Sequence, residues 1–243
     1  MTRAGALYGI GIGPGDPELI TLKAARLIGA APVVAYFARR DAKGNARAIA
    51  EAHLRADAEE LRLEYPYTTE IPRESEAYIR AMQTFYDMAA ERIAAQLSAG
   101  RDVAVLCEGD PFLYGSFMYL FDRLRGRFAV DVVPGVTGMS GCWSRAGTPM
   151  TRDIDTLTVV PATLDSQRLA DMLGMADAAV VMKVGRHLGR LREVLRRLGR
   201  LDDAVYVERG TMACERVVPL AELDAAEAPY FSLVLLPAVR RAP

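Results

Sequence analysis

Short runs of apolar residues recur along the chain, and stretches with helical spacing lie between them. Apolar runs bounded by glycine or proline are typical of buried strands, whereas apolar residues three or four apart are typical of amphipathic helices. The pattern predicts about nine strands, near residues 7–12, 32–37, 60–67, 102–107, 128–133, 156–162, 178–185, 204–210 and 230–237. Alternation of strands and helices predicts an α/β fold.

The longest predicted helix follows Ser75, a suitable N-cap, and closes at Gly100. A second helix is predicted to begin at Pro17, with Asp16 as its N-cap. Both have apolar residues at helical spacing. On the longer helix these are Ile79, Met82, Tyr86, Ala89, Ile93 and Leu97, and on the other they are Leu19, Leu22, Ala25 and Ile28.

The strand–helix pattern starts again after residues 134–149, where glycine, proline and small residues concentrate. We therefore predict two α/β lobes, residues 1–136 and 137–243, each a mostly parallel sheet with flanking helices. Several strands run directly into turns with glycine, such as "GPGD", "EGDP", "PGVT" and "ERGT". Since ligands of open α/β sheets bind beyond the carboxyl ends of strands, we expect one composite site in a cleft between the lobes.

Composition and charge exclude several classes of function. The 243 residues carry a formal net charge of -1, which gives no electrostatic basis for binding nucleic acid or an anionic membrane. Three separated cysteines indicate reduced thiols, and with only two histidines we expect no metal site. No signal peptide or transmembrane run is seen, so we expect a cytoplasmic protein.

The first turn, "GIGIGPGDP" at residues 9–17, looks like a phosphate-binding loop but lacks the required residues. In a dinucleotide fingerprint, Pro14 or Asp16 would occupy the place of the last glycine. No Gly-Lys-Ser/Thr follows, as a Walker A loop would need. The carboxylate of Asp16 disfavours an anion, so the turn suits a neutral or cationic ligand. Asp16 is equally suited to capping the next helix, and the same holds for Asp110 in "EGDPFLYG".

Three motifs in order, "GIGPGDPELITLKAARLI", "EGDPFLYGS" and "VVPGVT", resemble those of the S-adenosylmethionine-dependent tetrapyrrole methyltransferases. The resemblance covers essentially the whole chain. Within the family, "VVAYFARR", the insertion with "YPYT", and "VMKVGR" are similar to the subgroup that methylates C20 of precorrin-2 in cobalamin biosynthesis. This implies two α/β lobes with S-adenosylmethionine between them, a polycarboxylate tetrapyrrole as substrate, and a homodimer.

The resemblance also implies roles for individual residues. Cofactor contacts are expected at Pro14, Glu108, Gly109, Asp110, Leu113, Thr137, Gly138, Met182, Gly210 and Thr211. Because arginine pairs with carboxylates in forked geometry, substrate contacts are expected at Arg39, Arg145, Arg152, Arg186 and His187, with Arg40 as a further candidate.

The proton acceptor stays open at this point. Some relatives carry an aspartate, suggested as a base, where this chain has Phe37, so that role is not transferred. Tyr36, Glu108 and Tyr114 are the catalytic candidates.

Other functions within and beyond the family also stay open. The acceptor could be another corrin position or the cobalt-loaded substrate of the anaerobic route. Related folds methylate a modified histidine of a translation factor, as in diphthine synthesis, or a ribose of ribosomal RNA. A nucleotide-binding module without catalysis is the alternative from another class.

Overall fold

A computed structural model of the chain describes residues 3–40, 42–68, 70–72 and 74–239. Its strands are β1 (Leu7–Gly11), β2 (Val33–Ala38), β3 (Glu59–Glu64), β4 (Val103–Cys107), β5 (Val130–Val133), β6 (Leu157–Pro161), β7 (Ala178–Met182), β8 (Val205–Glu208), β9 (Arg216–Pro219) and β10 (Ser232–Leu236). Its α-helices are α1 (Leu22–Ala30), α2 (Asn45–Ile49), α3 (Glu76–Ser98), α4 (Phe117–Leu124), α5 (Gly138–Arg145), α6 (Ser166–Gly174) and α7 (Leu188–Arg197). Short 3-10 turns span Pro17–Leu19, Glu51–His53, Gly185–His187 and Leu220–Glu222.

The chain divides into two compact units, one ending at Thr137 and the other beginning at Gly138. The first unit contains a sheet in the order β3-β2-β4-β1-β5, with every described pairing parallel. β4 is the central strand, and β1 lies between β4 and β5, pairing with β4 from Leu7 opposite Val103. One face of this sheet packs with α3 and α4, and the other packs with α1 and α2. Parallel strands are covered on both faces, as their apolar sequences require.

The second unit contains a sheet in the order β6-β7-β10-β8-β9. β6 and β7 are parallel, while β10 runs antiparallel to both of its neighbours and β8 pairs antiparallel with β9. The largest core cluster of this unit brings α6 and α7 onto the sheet through Leu169, Leu173, Leu191 and Val194. Because β10 reverses between β7 and β8, the carboxyl ends of β6, β7 and β8 share one edge.

The predicted α/β class with flanking helices is confirmed, and five of the eight described strand pairings are parallel. The predicted cap at Ser75 is confirmed, since its Oγ accepts a hydrogen bond from the Tyr78 amide at 3.2 Å. Gly100 closes the end of α3 with a φ of +78°.

Two details of the predicted elements are wrong. The predicted helix from Pro17 is a 3-10 turn, followed by α1 with its own cap at Thr21. Its buried residues are therefore Ala24, Leu27 and Ile28, whereas Leu22 is 91% exposed. β9 was not predicted, because Arg216–Pro219 is short and largely exposed.

Candidate functional site

The carboxyl edge of the first sheet contains a topological switch point between β1 and β4. The chain leaves β1 through α1 toward β2, and it leaves β4 through α4 toward β5, on the other side of β1. The two helices pack on opposite faces of the sheet. A crevice at such a point is where open α/β sheets bind ligands.

Three loops meet at this edge through their backbones. A Cβ placed on Gly135 would lie 2.1 Å from the Gly109 carbonyl oxygen, and one on Gly11 would lie 2.5 Å from the Gly135 nitrogen. The Gly109 amide donates to the Gly13 carbonyl oxygen at 2.8 Å. The glycines therefore allow the loops after β1, β4 and β5 to approach one another. This contact fixes the backbone around Pro14, which stays partly exposed.

Asp110 holds two of these loops together. Its Oδ1 accepts from the Phe112 amide at 2.9 Å, and its Oδ2 accepts from the Gly135 amide at 3.2 Å. Asp16 caps the 3-10 turn, since its Oδ1 accepts from the Glu18 amide at 2.9 Å. The capping role predicted for Asp16 is therefore confirmed, whereas the one predicted for Asp110 is wrong, because a turn follows Asp110 and the next helix begins at Phe117.

Glu108 follows β4 directly and lies at the switch point. Taken as a whole, Glu108 is an exposed residue. The protein around its carboxyl nevertheless removes water from that group, and this desolvation raises the pKa of Glu108 above the usual value. Hydrogen bonds with the Asn45 side chain and the Ala46 amide act in the opposite direction. A carboxylate with a raised pKa is a stronger base than an ordinary glutamate, and its accessible surface lets it reach a ligand.

The other catalytic candidates have different surroundings. Tyr36 is 7% exposed, and its hydroxyl hydrogen-bonds to Glu60 in the core beside α2. Burial and Glu60 raise the pKa of Tyr36, so the phenol is a poor base. Tyr114 lies in the loop after β4, 42% exposed and with a φ of +55°. Phe37 stacks on Tyr65 with ring centroids 5.5 Å apart.

The second unit gathers predicted residues at the shared carboxyl edge of β7 and β8. Met182 ends β7, and the turn after β8 contains Gly210 and Thr211. Gly210 packs on α5, because a Cβ there would lie 2.7 Å from the Cys142 Sγ. Thr211 has a φ of +71°, which is unusual for a β-branched residue.

Backbone strain coincides with the predicted site segments. In the described ranges, the non-glycine residues with positive φ are Tyr114, Asp153, Lys183, Arg209 and Thr211. Each is a predicted site residue or the immediate neighbour of one. Strained backbone of this kind clusters at functional sites.

The predicted substrate-binding residues do not form one cluster. Arg145 makes a two-pronged pair with Glu215, whose carboxylate also accepts from the Thr211 amide at 3.0 Å. Arg152 precedes β6, so it lies at the opposite edge of the second sheet from Met182. Arg186 is exposed on the 3-10 turn after β7.

His187 lies beside Arg186 on the same turn. Its Nδ1 is 3.1 Å from the Arg190 guanidinium and must accept, because arginine only donates. The neutral imidazole therefore carries its proton on Nε2.

Sequence reasoning missed Asn45 and Glu215. Both act across long stretches of chain, with Glu215 pairing 70 positions from Arg145, and no local signal exists for such contacts. Thr137 ends the first unit and Gly138 begins the second, and both are partly exposed, as is Leu113.

No group of three or more potential metal ligands occurs among the described residues. Among the described helices, none has the length and hydropathy needed to cross a membrane.

Comparisons with known proteins agree with this architecture. A family model described as Tetrapyrrole (Corrin/Porphyrin) Methylases matches residues 6–224. A precorrin-2 C(20)-methyltransferase from Sinorhizobium sp is 53% identical over 233 residues, covering 96% of this chain and 95% of that protein. The cobalamin biosynthesis protein CobIJ of Mycobacterium bovis is 48% identical over 241 residues, which span 99% of this chain and 47% of that longer protein.

A solved structure shows the same similarity. It is a uroporphyrin-III C-methyl transferase from Thermus thermophilus complexed with S-adenyl homocysteine, 27% identical, with a TM-score of 0.66. The match covers 96% of this chain and 92% of that one.

Proposed function

Because the chain belongs to the tetrapyrrole (corrin/porphyrin) methylase family, we propose that it transfers a methyl group from S-adenosylmethionine to C20 of precorrin-2, giving precorrin-3A. The observation that carries this proposal is the 53% identity to a precorrin-2 C(20)-methyltransferase over nearly the full length of both proteins. This full-length similarity is the reason why we favour C20 over another ring position of the substrate.

The residues at the switch point fit a cationic cofactor. The loops after β1, β4 and β5, residues 12–16, 108–116 and 134–137, contain Asp16, Glu108 and Asp110 and no lysine or arginine. An acidic edge favours a sulfonium and disfavours a phosphate, which would need backbone amides or cations. Pro14, Gly109 and Leu113 would hold the group through backbone and apolar contact. We also propose Met182, Gly210 and Thr211 of the second unit as cofactor contacts, on the basis of the resemblance to the family.

When bound, S-adenosylmethionine would supply a methyl group on a sulfonium, and as the new carbon–carbon bond forms the carbon–sulfur bond breaks and the neutral thioether is the leaving group. The protein contributes by orienting the acceptor carbon in line with that methyl, an effect worth roughly 7–11 kcal/mol in favourable cases. The backbone contacts among Gly11, Gly109 and Gly135 keep this edge of the sheet rigid. The C20 carbon of the substrate is already enamine-like and needs little further activation.

Glu108 is the residue we assign to the proton. After methyl transfer the proton on C20 must leave, and a Glu108 carboxylate oxygen would accept it. Its position after β4, its exposed surface and its raised pKa support this role. Tyr36 is not carried into the mechanism, because its hydroxyl is buried against Glu60.

Incubation of the purified protein with precorrin-2 and methyl-labelled S-adenosylmethionine tests the function. We expect one added methyl in the mass spectrum and a label at C20 by carbon NMR. Methylation of a later corrin intermediate, or of the cobalt-loaded form alone, would contradict the proposal. Calorimetric titration that finds binding of NAD or ATP but none of S-adenosylmethionine would exclude a methyltransferase.

We also propose that the enzyme acts as a homodimer in the cytoplasm. The basis is the resemblance to the family and the biosynthetic role of its relatives. Light scattering coupled to size-exclusion chromatography measures the mass directly, and a monomer at working concentration would contradict the dimer.

A further inference from the structure

A polar cavity of about 440 Å³ lies in the first unit, at loops other than those of the switch point. It is formed by the loops that follow β2 and β3, which are neighbours in the sheet. The residues around it are Arg39, Arg40, Tyr65, Pro66, Tyr67, Thr68 and Glu70. Two arginines thus face one acid in a space large enough for a side chain of a ligand.

The guanidinium of Arg39 is available to a ligand. No ion pair to it exists within the described ranges, and the side chain is exposed. Its backbone is held in place, since its carbonyl oxygen accepts from the Arg62 guanidinium at 2.9 Å. The base of the side chain is therefore fixed, and among the described residues the charged end has no acidic partner.

Among the described residues, Arg40 pairs weakly with Glu64. Its Nε lies 3.6 Å from a Glu64 oxygen, and the Arg40 side chain is 76% exposed. Such exposed pairs stabilise a protein little, and Glu64 also pairs with Arg62 at 3.0 Å. The acid of the cavity, Glu70, accepts a hydrogen bond from the Thr68 amide at 2.5 Å. Among the described residues that line the cavity, two arginines thus stand beside one acid.

One wall of the cavity is rigid. The Tyr65 ring stacks on Phe37, and its hydroxyl lies 2.6 Å from the Ser116 Oγ, which also accepts from Tyr86 at 3.0 Å. A fixed aromatic wall beside two arginines resembles the arrangement that binds planar carboxylates by forked hydrogen bonds.

We propose that this cavity is a carboxylate-binding subsite for an acetate or propionate side chain at the rim of the tetrapyrrole. The proposal rests on the proposed function. The ends of β2 and β3 lie one and two strand positions from β4, which places them roughly 5 and 10 Å away at about 4.8 Å per strand. A side chain anchored there leaves the macrocycle extended over Glu108 and the switch point.

The experiment compares the wild type with Arg39→Gln, the double variant Arg39→Gln/Arg40→Gln and the control Arg26→Gln, which removes an exposed charge on α1. Initial rates with precorrin-2 give KM and kcat, and calorimetry gives Kd for S-adenosylmethionine. The double variant should raise KM about tenfold or more, because charge-assisted hydrogen bonds are lost, while kcat and the cofactor Kd stay near wild type. Arg26→Gln should match the wild type in all three.

A binding titration with the stable porphyrin uroporphyrin separates this proposal from the proposed function. Uroporphyrin carries an acetate and a propionate side chain on every ring. Uroporphyrin should bind the wild type more tightly than the double variant, and added salt should reduce the difference. An unchanged KM and an unchanged uroporphyrin Kd in the double variant overturn the subsite, even if the wild type methylates C20. Arginine-dependent uroporphyrin binding without C20 methylation would instead retain the subsite and refute the proposed function.

Discussion

The Asp110 carboxylate accepts a hydrogen bond from the backbone amide of Gly135 at 3.2 Å, although 25 positions separate them. It accepts a second from the Phe112 amide at 2.9 Å. One side chain thereby connects the loop after β4 with the loop after β5, at the edge where the cofactor would bind.

Asp110→Ala should loosen this edge of the sheet. Two backbone amides lose their acceptor, and such a loss costs about 1–3 kcal/mol when the donors are left unpaired. Thermal unfolding should show a lower Tm, and calorimetry a weaker affinity for S-adenosylmethionine. Asp110→Asn keeps one acceptor oxygen, so its Tm and cofactor affinity should lie between those of the wild type and those of Asp110→Ala. An Asp110→Ala protein with wild-type Tm and affinity would show that the contact does not matter.

Gly135→Ala should be far more damaging than its size suggests. The added Cβ would lie 2.1 Å from the Gly109 carbonyl oxygen, so the backbone of two loops must move. We expect a loss of stability of about 2 kcal/mol or more and a corresponding loss of cofactor binding. Gly126→Ala is the matched control, because no atom lies within 4 Å of its Cβ position. Chemical denaturation of both variants measures the difference, and equal midpoints would contradict the backbone contact.

Glu108→Gln should lower kcat because the proton acceptor is lost, and it should also weaken the affinity for S-adenosylmethionine, because Glu108 is one of the three acids at the switch point. The wild-type rate should fall as the pH drops through the raised pKa of Glu108, because the base becomes protonated. This acidic limb should lie above the usual range for glutamate and disappear in the variant.

Stability provides a second measurement on the same residue. A carboxyl whose folded-state pKa is raised stabilises the fold at acidic pH, and this contribution is lost as pH rises through the folded-state pKa. Wild type should therefore be less stable than Glu108→Gln at neutral pH, with the gap closing on acidification. A constant gap in the unfolding curves would argue against the raised pKa.

Arg145→Ala should act on the turn at Thr211 and only indirectly on ligands. Arg145 lowers the pKa of Glu215, whose carboxylate holds the Thr211 amide. The stability that this pair contributes is present above the usual glutamate pKa and is lost as pH falls through the depressed value. The loss in Arg145→Ala should be small, below about 1 kcal/mol, because the pair is partly exposed.

The kinetic split distinguishes this role of Arg145 from the substrate contact expected at first. Without Arg145, Glu215 is held less firmly, and so is the Thr211 turn that it contacts. Cofactor affinity should therefore weaken a few-fold, with KM for the tetrapyrrole unchanged at saturating cofactor. A raised tetrapyrrole KM with unchanged cofactor affinity would restore Arg145 as a substrate ligand. Arg168→Ala, an exposed residue on α6, is the control.

The predictions from sequence succeeded where a local pattern has a single physical meaning. Apolar runs located the buried strands of the first sheet, and Ser75 and Gly100 marked the limits of α3. They failed where the signal is weak or ambiguous. Leu22 was assigned to a buried face because the helix was started at Pro17, one short turn too early.

The candidate site shows the same division. The turns at Pro14, Asp110 and Gly210 were identified from sequence because glycine, proline and aspartate there have specific backbone requirements. The contact of Glu215 with Arg145 and the antiparallel direction of β10 both depend on residues far apart in the chain, so they could not be predicted from a local pattern. Arginine side chains carry no local indication of their partners, so Arg152 and Arg186 could not be separated before the sheet was known.

The interior position of β1, between β4 and β5, has a consequence for synthesis on the ribosome. β1 is the first strand to emerge, yet its two neighbours, β4 and β5, end only at Cys107 and Val133. At about 5–20 residues per second, roughly 6–25 s pass before both partners have been synthesised. Until β4 has been synthesised, both edges of β1 lack a partner, and the edge that pairs with β5 lacks one until Val133. Nascent chains arrested before Val133 should therefore depend on chaperones, whereas chains released after it can close the first unit around β1.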